Sequence, residues 1–246
     1  MKDLIRTILG RVGLTVVRTK NIQYLSNCDA LDPFFSALKG FGFDPKHILD
    51  VGANRGSWTR TAAKYFPNAR YTLVEPQDQL KKYIQDLVDS GCEIQWITAG
   101  ASDKSGSMPL SISDHDDRST FLLAGPEGES AGSRQVTVDV KTLNEIVSGS
   151  ALPEMVKIDA EGLDLRVLKG ASNLLGKTDV FLVEAMVCGP CENSVAEVIK
   201  FMSEAGYHLI DITEPNRSPK YGVLWLCELA FLRNGIALMD GMTSYE

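Results

Sequence analysis

The chain has 246 residues, 44% hydrophobic and 23% charged, enough to bury a sizeable core in one large domain or two small ones. Its net charge of -7 argues against a nucleic-acid backbone as partner, which needs a basic face, and no run approaches the roughly 20 apolar residues of a membrane-spanning helix. The five cysteines (Cys28, Cys92, Cys188, Cys191, Cys227) are an odd set scattered through apolar and loop segments, which points to reduced thiols in the cytoplasm and not to a disulfide framework.

The first segment, MKDLIRTILGRVGLTVVRTK, is basic and amphipathic, with Leu4, Ile5, Ile8, Leu9 and Val12 at helical spacing. Arg6 and Arg11 interrupt the apolar stripe and no small-residue cleavage site follows, so it is a poor signal peptide. It reads as a helix packed on the domain or on a partner subunit in a homo-oligomer, with weak membrane-surface contact as the alternative. Residues 1–45 are accordingly expected to be a helical extension and 46–246 the main domain.

Strands and helices alternate from Lys46 onward. The pattern predicts strands at 47–52, 70–75 and 93–98, a helix at 57–66, and a helix at 77–89 with Leu80, Ile84, Leu87 and Val88 on one face. Short strand patterns at 108–113 and 134–140 flank a polar, glycine-rich variable loop at about 111–135. Alternation resumes with strands at 155–159 and 180–185 and helices at 163–175 and 193–205, and the chain closes on two strand-like runs, YHLIDI and LWLCELAFLR. Repeated strand–helix units imply a doubly wound α/β domain with a mostly parallel sheet, and the terminal strand pair implies an antiparallel edge.

Ligands in such sheets sit beyond the carboxyl ends of the strands, where the strand order reverses. The first strand runs into GANRG, where Gly52 and Gly56 permit a sharp turn and close backbone approach and Asn54 tolerates an unusual φ. The spacing lacks the G-x-G-x-x-G pyrophosphate pattern, which disfavours nicotinamide and flavin cofactors. The second strand ends in LVEP, and a carboxylate at Glu75 can accept hydrogen bonds from both hydroxyls of a ribose. A nucleoside cofactor without a pyrophosphate fits the pair, and S-adenosyl-L-methionine is the natural candidate.

The stretches ILDVGANRGSWT, VEP, ASDKSGS, VKIDAEGLDLRVLKGA and FLVEA resemble, in order, the motifs of the FkbM-type methyltransferases, over roughly residues 41 to 233. That resemblance implies a class I, Rossmann-like fold with seven strands and S-adenosylmethionine-dependent O-methylation of a hydroxyl, often on a sugar or natural product. It implies that Asp50 belongs to the cofactor-binding stretch, that Gly52, Asn54 and Gly56 line the methionine part, that Glu75 holds the ribose, and that Ala101 and Ser102 lie near the adenine.

Three carboxylates converge on neighbouring strand ends: Asp159 and Glu161 in VKIDAEG and Glu184 in FLVEA, with Lys157 on the same strand face as Asp159. One of them can take the proton from an attacking hydroxyl, with Asp159 as the first choice. Alternatively Asp159 and Glu184 hold Mg²⁺, as hard oxygen ligands allow, although no histidine joins them in sequence and no metal is favoured. In the plainest reading Glu161 caps its helix and Glu184 pairs with Lys157 or another cation. His115, in the polar loop, is a further candidate base if that loop closes over the pocket. The acceptor is expected to be a small molecule or a carbohydrate. Two other functions stay open: a thiol–disulfide oxidoreductase using Cys188 and Cys191, spaced C-x-x-C, and a nucleotide-binding partner protein without catalysis.

Overall fold

The computed structural model describes residues 30–112, 134–187, 191–218 and 220–238. Its first helix, α1 (Leu31–Gly40), is followed by β1 (His47–Val51), α2 (Ser57–Tyr65) and β2 (Arg70–Val74). A 3₁₀ helix (Asp78–Ile84) then runs into the short α3 (Gln85–Asp89) and β3 (Glu93–Ile97). The second half contains β4 (Gly100–Ala101), β5 (Gly106–Ile112), β6 (Arg134–Lys141), α4 (Leu143–Ile146), β7 (Met155–Ile158) and α5 (Asp164–Lys169). It closes with β8 (Val180–Met186), α6 (Val195–Glu204), β9 (Tyr207–Arg217) and β10 (Leu224–Arg233).

Seven strands form the main sheet in the order β3-β2-β1-β7-β8-β10-β9. Pairings among β3, β2, β1, β7 and β8 are parallel, and β10 runs antiparallel to β8 on one side and β9 on the other. The antiparallel pair expected at the sheet's edge is therefore present, with β9 outermost. Every residue of β1 and β7 is buried, because helices cover both faces of the central parallel strands. One face packs Val51, Val156, Phe181 and Leu229 with α5 and α6 residues such as Leu168, Val198 and Met202. The other packs Ile48, Leu182 and Ala230 under α1 and α2, where Phe35 meets Trp58 and Phe66 edge-on with ring centroids 5.4 and 5.7 Å apart. Residues 31–40, counted with the extension, thus form part of the domain's covering layer; residues 1–29 lie outside the described set. No helix among the described residues is long and apolar enough to cross a membrane.

Two local outcomes differ from the sequence pattern. The 77–89 helix is split, its first half wound as 3₁₀, and the tighter winding leaves Val88 46% exposed while Leu80, Ile84 and Leu87 stay buried. The helix expected to run to 175 ends at Lys169, after which turns carry the chain to β8. The two short strands flanking the variable loop, β5 and β6, make with β4 a separate three-stranded sheet, β4-β6-β5, beside the carboxyl end of β3.

Candidate active site

The strand order reverses between β1 and β7, since β2 and β3 lie on one side of β1 and the chain returns on the other. Register pairs Asp50 with Lys157 and Val51 with Ile158, so the turn after β1 and the turn after β7 emerge side by side. Their approach is close enough to require glycine. Gly52 has φ 75°, and a Cβ placed there would lie 1.8 Å from the carbonyl oxygen of Asp159. The Asp159 N–H donates to the Val51 carbonyl at 3.0 Å and the Gly52 N–H to the Val74 carbonyl at 2.9 Å, locking three strand ends together. Asn54 takes φ 46° in the same turn, as its residue type allows.

A cleft of about 180 Å³ opens above these ends, lined among others by Gly52, Asn54, Glu75, Ala101, Asp159 and Glu161. Glu75 is only 5% exposed; its two carboxylate oxygens accept from the Asn54 N–H at 3.0 Å and the Gln77 N–H at 2.9 Å. Burial pushes its carboxyl above the ordinary value, with those two N–H groups pulling the other way. A carboxylate offers about four acceptor positions, so two remain for a diol in the cleft. Leu110 of β5 also reaches the cleft, a contribution of the small sheet that the sequence pattern did not reveal.

Several predicted residues sit behind the cleft wall and do not line it. Asp50 is fully buried beneath the turn, where one carboxylate oxygen accepts from the Thr59 hydroxyl at 2.5 Å and the other lies 3.6 Å from Lys157 Nζ. Burial raises its pKa, opposed by Lys157. Lys157 is also buried and donates to Asp159 Oδ2 at 3.1 Å and to the Gly52 carbonyl at 3.3 Å. Burial lowers the pKa of this ammonium, but Asp159, Asp50 and Glu228 outweigh it and hold the group above its ordinary value. Gly56, at φ 76°, caps α2, and Ser102 is buried with its hydroxyl on Asp103.

The acids come together as expected. Glu161 stands on the cleft wall with φ 52°, a left-handed backbone unusual for a non-glycine residue. Burial, then the charges of Asp159 and Asp164, push its carboxyl up to about 8. Glu184 near the end of β8 is held well above the usual carboxylate range by burial and by Asp159 and Asp164. Asp159, Asp164 and Glu184 each offer one oxygen within 4.8 Å of the others, a spacing that a hard divalent cation could bridge. Two members of this neighbourhood were not singled out from sequence. Asp164 lies inside the VKIDAEGLDLRVLKGA stretch without a role of its own there, and Glu228, placed opposite Glu184 by the β8–β10 register, has no sequence cue at all. Burial and neighbouring Glu214 push the Glu228 carboxyl up to about 8.

His115 and Cys188 lie outside the described residues. Cys191 Sγ rests 3.5 Å from Met186 Sδ, and Cys92, Cys191 and Cys227 are free thiols.

The residues from 50 to 209 match the family described as the Methyltransferase FkbM domain. No curated protein matches the chain in sequence. Among solved structures, precorrin-6y C5,15-methyltransferase from Geobacter metallireducens GS-15 is similar at 14% identity, covering 88% of this chain and 90% of that one with a TM-score of 0.47. A putative O-methyltransferase from Klebsiella pneumoniae is similar at 12% identity over 94% and 89% of the two chains, with a TM-score of 0.47. So is 1,6-didemethyltoxoflavin-N1-methyltransferase from Burkholderia thailandensis, solved with S-adenosylhomocysteine, at 15% identity over 84% and 79% with a TM-score of 0.44. The chain belongs to the FkbM methyltransferase family, and it is an S-adenosylmethionine-dependent methyltransferase.

Proposed function

We propose that the chain methylates an oxygen, the hydroxyl of a sugar in glycan or natural-product assembly, within a reducing cytoplasmic compartment. The observation that carries this reading is the acidic wall: Asp159 and Glu161 face the same cleft as Glu75 and Gly52. An alcohol is a poor nucleophile until its proton leaves, so a carboxylate beside the acceptor position supplies what oxygen methylation needs.

Glu75 binds the ribose diol through its unused acceptor positions, and the side-chain-free surface at Gly52, with Asn54, admits the methionine portion. Ala101 borders the adenine end, with Ser102 packed behind it. Bound S-adenosylmethionine supplies an electrophilic methyl group. Lys157 fixes Asp159 through Oδ2, so that Asp159 orients the acceptor hydroxyl. Glu161 accepts the proton once it is ionised, near pH 8 and above, and its raised pKa makes that carboxylate a stronger base than an ordinary glutamate. Apolar Val74 and Leu110 exclude water from the cofactor side, and the remaining acceleration comes from holding the two reactants in line. Asp50 acts beneath the site by holding Lys157. Nothing in this scheme needs Mg²⁺.

The test is methyl transfer from ¹³C-methyl-labelled S-adenosylmethionine to a panel of methyl glycosides and their single deoxy analogues, read by NMR. The expected product is one O-methyl ether, lost with one particular deoxy analogue. Glu161→Gln should lower kcat by about 10²- to 10⁴-fold. Label found on nitrogen or carbon acceptors but on no hydroxyl would contradict the reading.

A further inference from the structure

We infer that Asp164 and Asn193 form a clamp that fixes the turn from Asp159 to Gly162 and thereby sets the position of Glu161 in the cleft. Neither residue lines the cleft, so both act through the turn as positioning residues. The inference rests on the proposed role of Glu161 only for its consequence in catalysis; the clamp itself is a statement about the turn.

Glu161 holds a left-handed backbone that L-residues rarely keep without support from their surroundings. Asp164 supplies such support. Asp164 Oδ1 accepts from the Ala160 N–H at 2.6 Å, and Oδ2 accepts from the Gly162 N–H at 3.2 Å, so a single carboxylate grips the amides on either side of Glu161. That carboxylate is fully buried and cannot swing away into water.

Asn193 closes the arrangement from 29 residues along the chain. Its Nδ2 donates to Asp164 Oδ2 at 2.7 Å and to the Glu184 carbonyl at 3.2 Å, while its Oδ1 accepts from the Leu165 N–H at 3.1 Å. One buried amide thus ties the start of α5, the clamping carboxylate and the end of β8 together. Alanine at position 193 keeps none of these bonds, and a serine hydroxyl is too short and lacks the amide's separate donor and acceptor atoms to keep all three. The two acidic strand ends, after β7 and on β8, are consequently held in one fixed relation, and Glu161 stands on the cleft wall.

The test is amide hydrogen exchange on the full chain, comparing wild type with Asn193→Ala. The inference predicts at least tenfold faster exchange at Ala160 and Gly162 with the Asp159 amide, bonded to β1, unchanged. It also predicts a fall in kcat with little change in the KM for S-adenosylmethionine. Unchanged exchange at Ala160 and Gly162 would overturn it. Acceleration spread evenly over the whole domain would overturn it too, since it would make Asn193 a general packing residue. Should Asn193→Ala fail to fold, the milder Asn193→Ser is read in the same way. The exchange measurement needs no cofactor, so a failure of S-adenosylhomocysteine to bind would count against the proposed function and leave the clamp standing.

Discussion

Replacing Gly52 with alanine adds one methyl group and should undo the site. Two costs combine. At φ 75° an L-residue sits in the left-handed region, at a cost of about 1–2 kcal/mol. The new Cβ would also begin 1.8 Å from the Asp159 carbonyl oxygen, a backbone atom that no rotamer change can move. Relief requires the ends of β1 and β7 to part, which breaks the bond from the Asp159 N–H to the Val51 carbonyl and the contact of Lys157 with the Gly52 carbonyl. Overpacking of this kind costs a further 1–3 kcal/mol or so. A total of about 3 kcal/mol in a domain of this size corresponds to a melting temperature lower by about 6–12 °C. Thermal unfolding of Gly52→Ala, followed by calorimetric titration with S-adenosylhomocysteine, checks both halves of the argument: the melt should fall by that amount and binding should vanish. A variant that melts with the wild type and binds as tightly would refute the claim that this approach of two strand ends builds the cleft.

Lys157→Met should destabilise the protein by about 3–5 kcal/mol at pH 8 in a urea titration, because it leaves Asp50 and Asp159 without their buried cation. The loss should shrink at pH 6, where the surrounding carboxyls can take up protons; equal losses at both pH values would contradict the assigned charge state. The wild type should itself lose stability as the pH rises. An unfolded glutamate releases its proton near 4.5, whereas Glu161 and Glu228 keep theirs until about 8, so the native state binds more protons across that window. Their contribution is fully present below 4.5 and gone above 8, and the melting temperature should drop by about 5 °C or more between pH 5.5 and 8.5; a rise would mean that the carboxyls are paired and not merely buried.

Much of the architecture was legible because central parallel strands are apolar on both faces. HILDV, MVKI and VFLV stand out as short apolar runs, and the turns between them carry the glycines and acids that mark strand ends. Ser194 with Glu197 at the start of α6 is equally readable, since the hydroxyl accepts from the N–H three residues on. The phase of the 77–89 segment was not, because 3₁₀ winding shares its apolar residues with an α-helix and differs only in spacing. The separate sheet of β4, β5 and β6 is a matter of which strand pairs with which, a property of chain topology that local periodicity does not contain.

The site shows the same division. Gly52, Asn54, Glu75, Asp159 and Glu161 were found in sequence because each follows a strand at its carboxyl end, and all of them line the cleft. Asp50 and Lys157 lie within strands, where alternation alone could not say that they would face each other across β1 and β7 beneath the turn. Asn193 and Glu228 reach the acidic centre only through tertiary pairing, from 29 residues beyond Asp164 and from the opposite strand respectively.

Calorimetric titration with S-adenosylhomocysteine on wild type and Glu75→Ala tests most directly whether the cleft holds a nucleoside against Glu75. Micromolar binding to the wild type is expected, with at least a tenfold weaker affinity in the variant, about 1.4 kcal/mol. Absence of binding to the wild type, or equal affinity in a folded Glu75→Ala, would contradict this expectation.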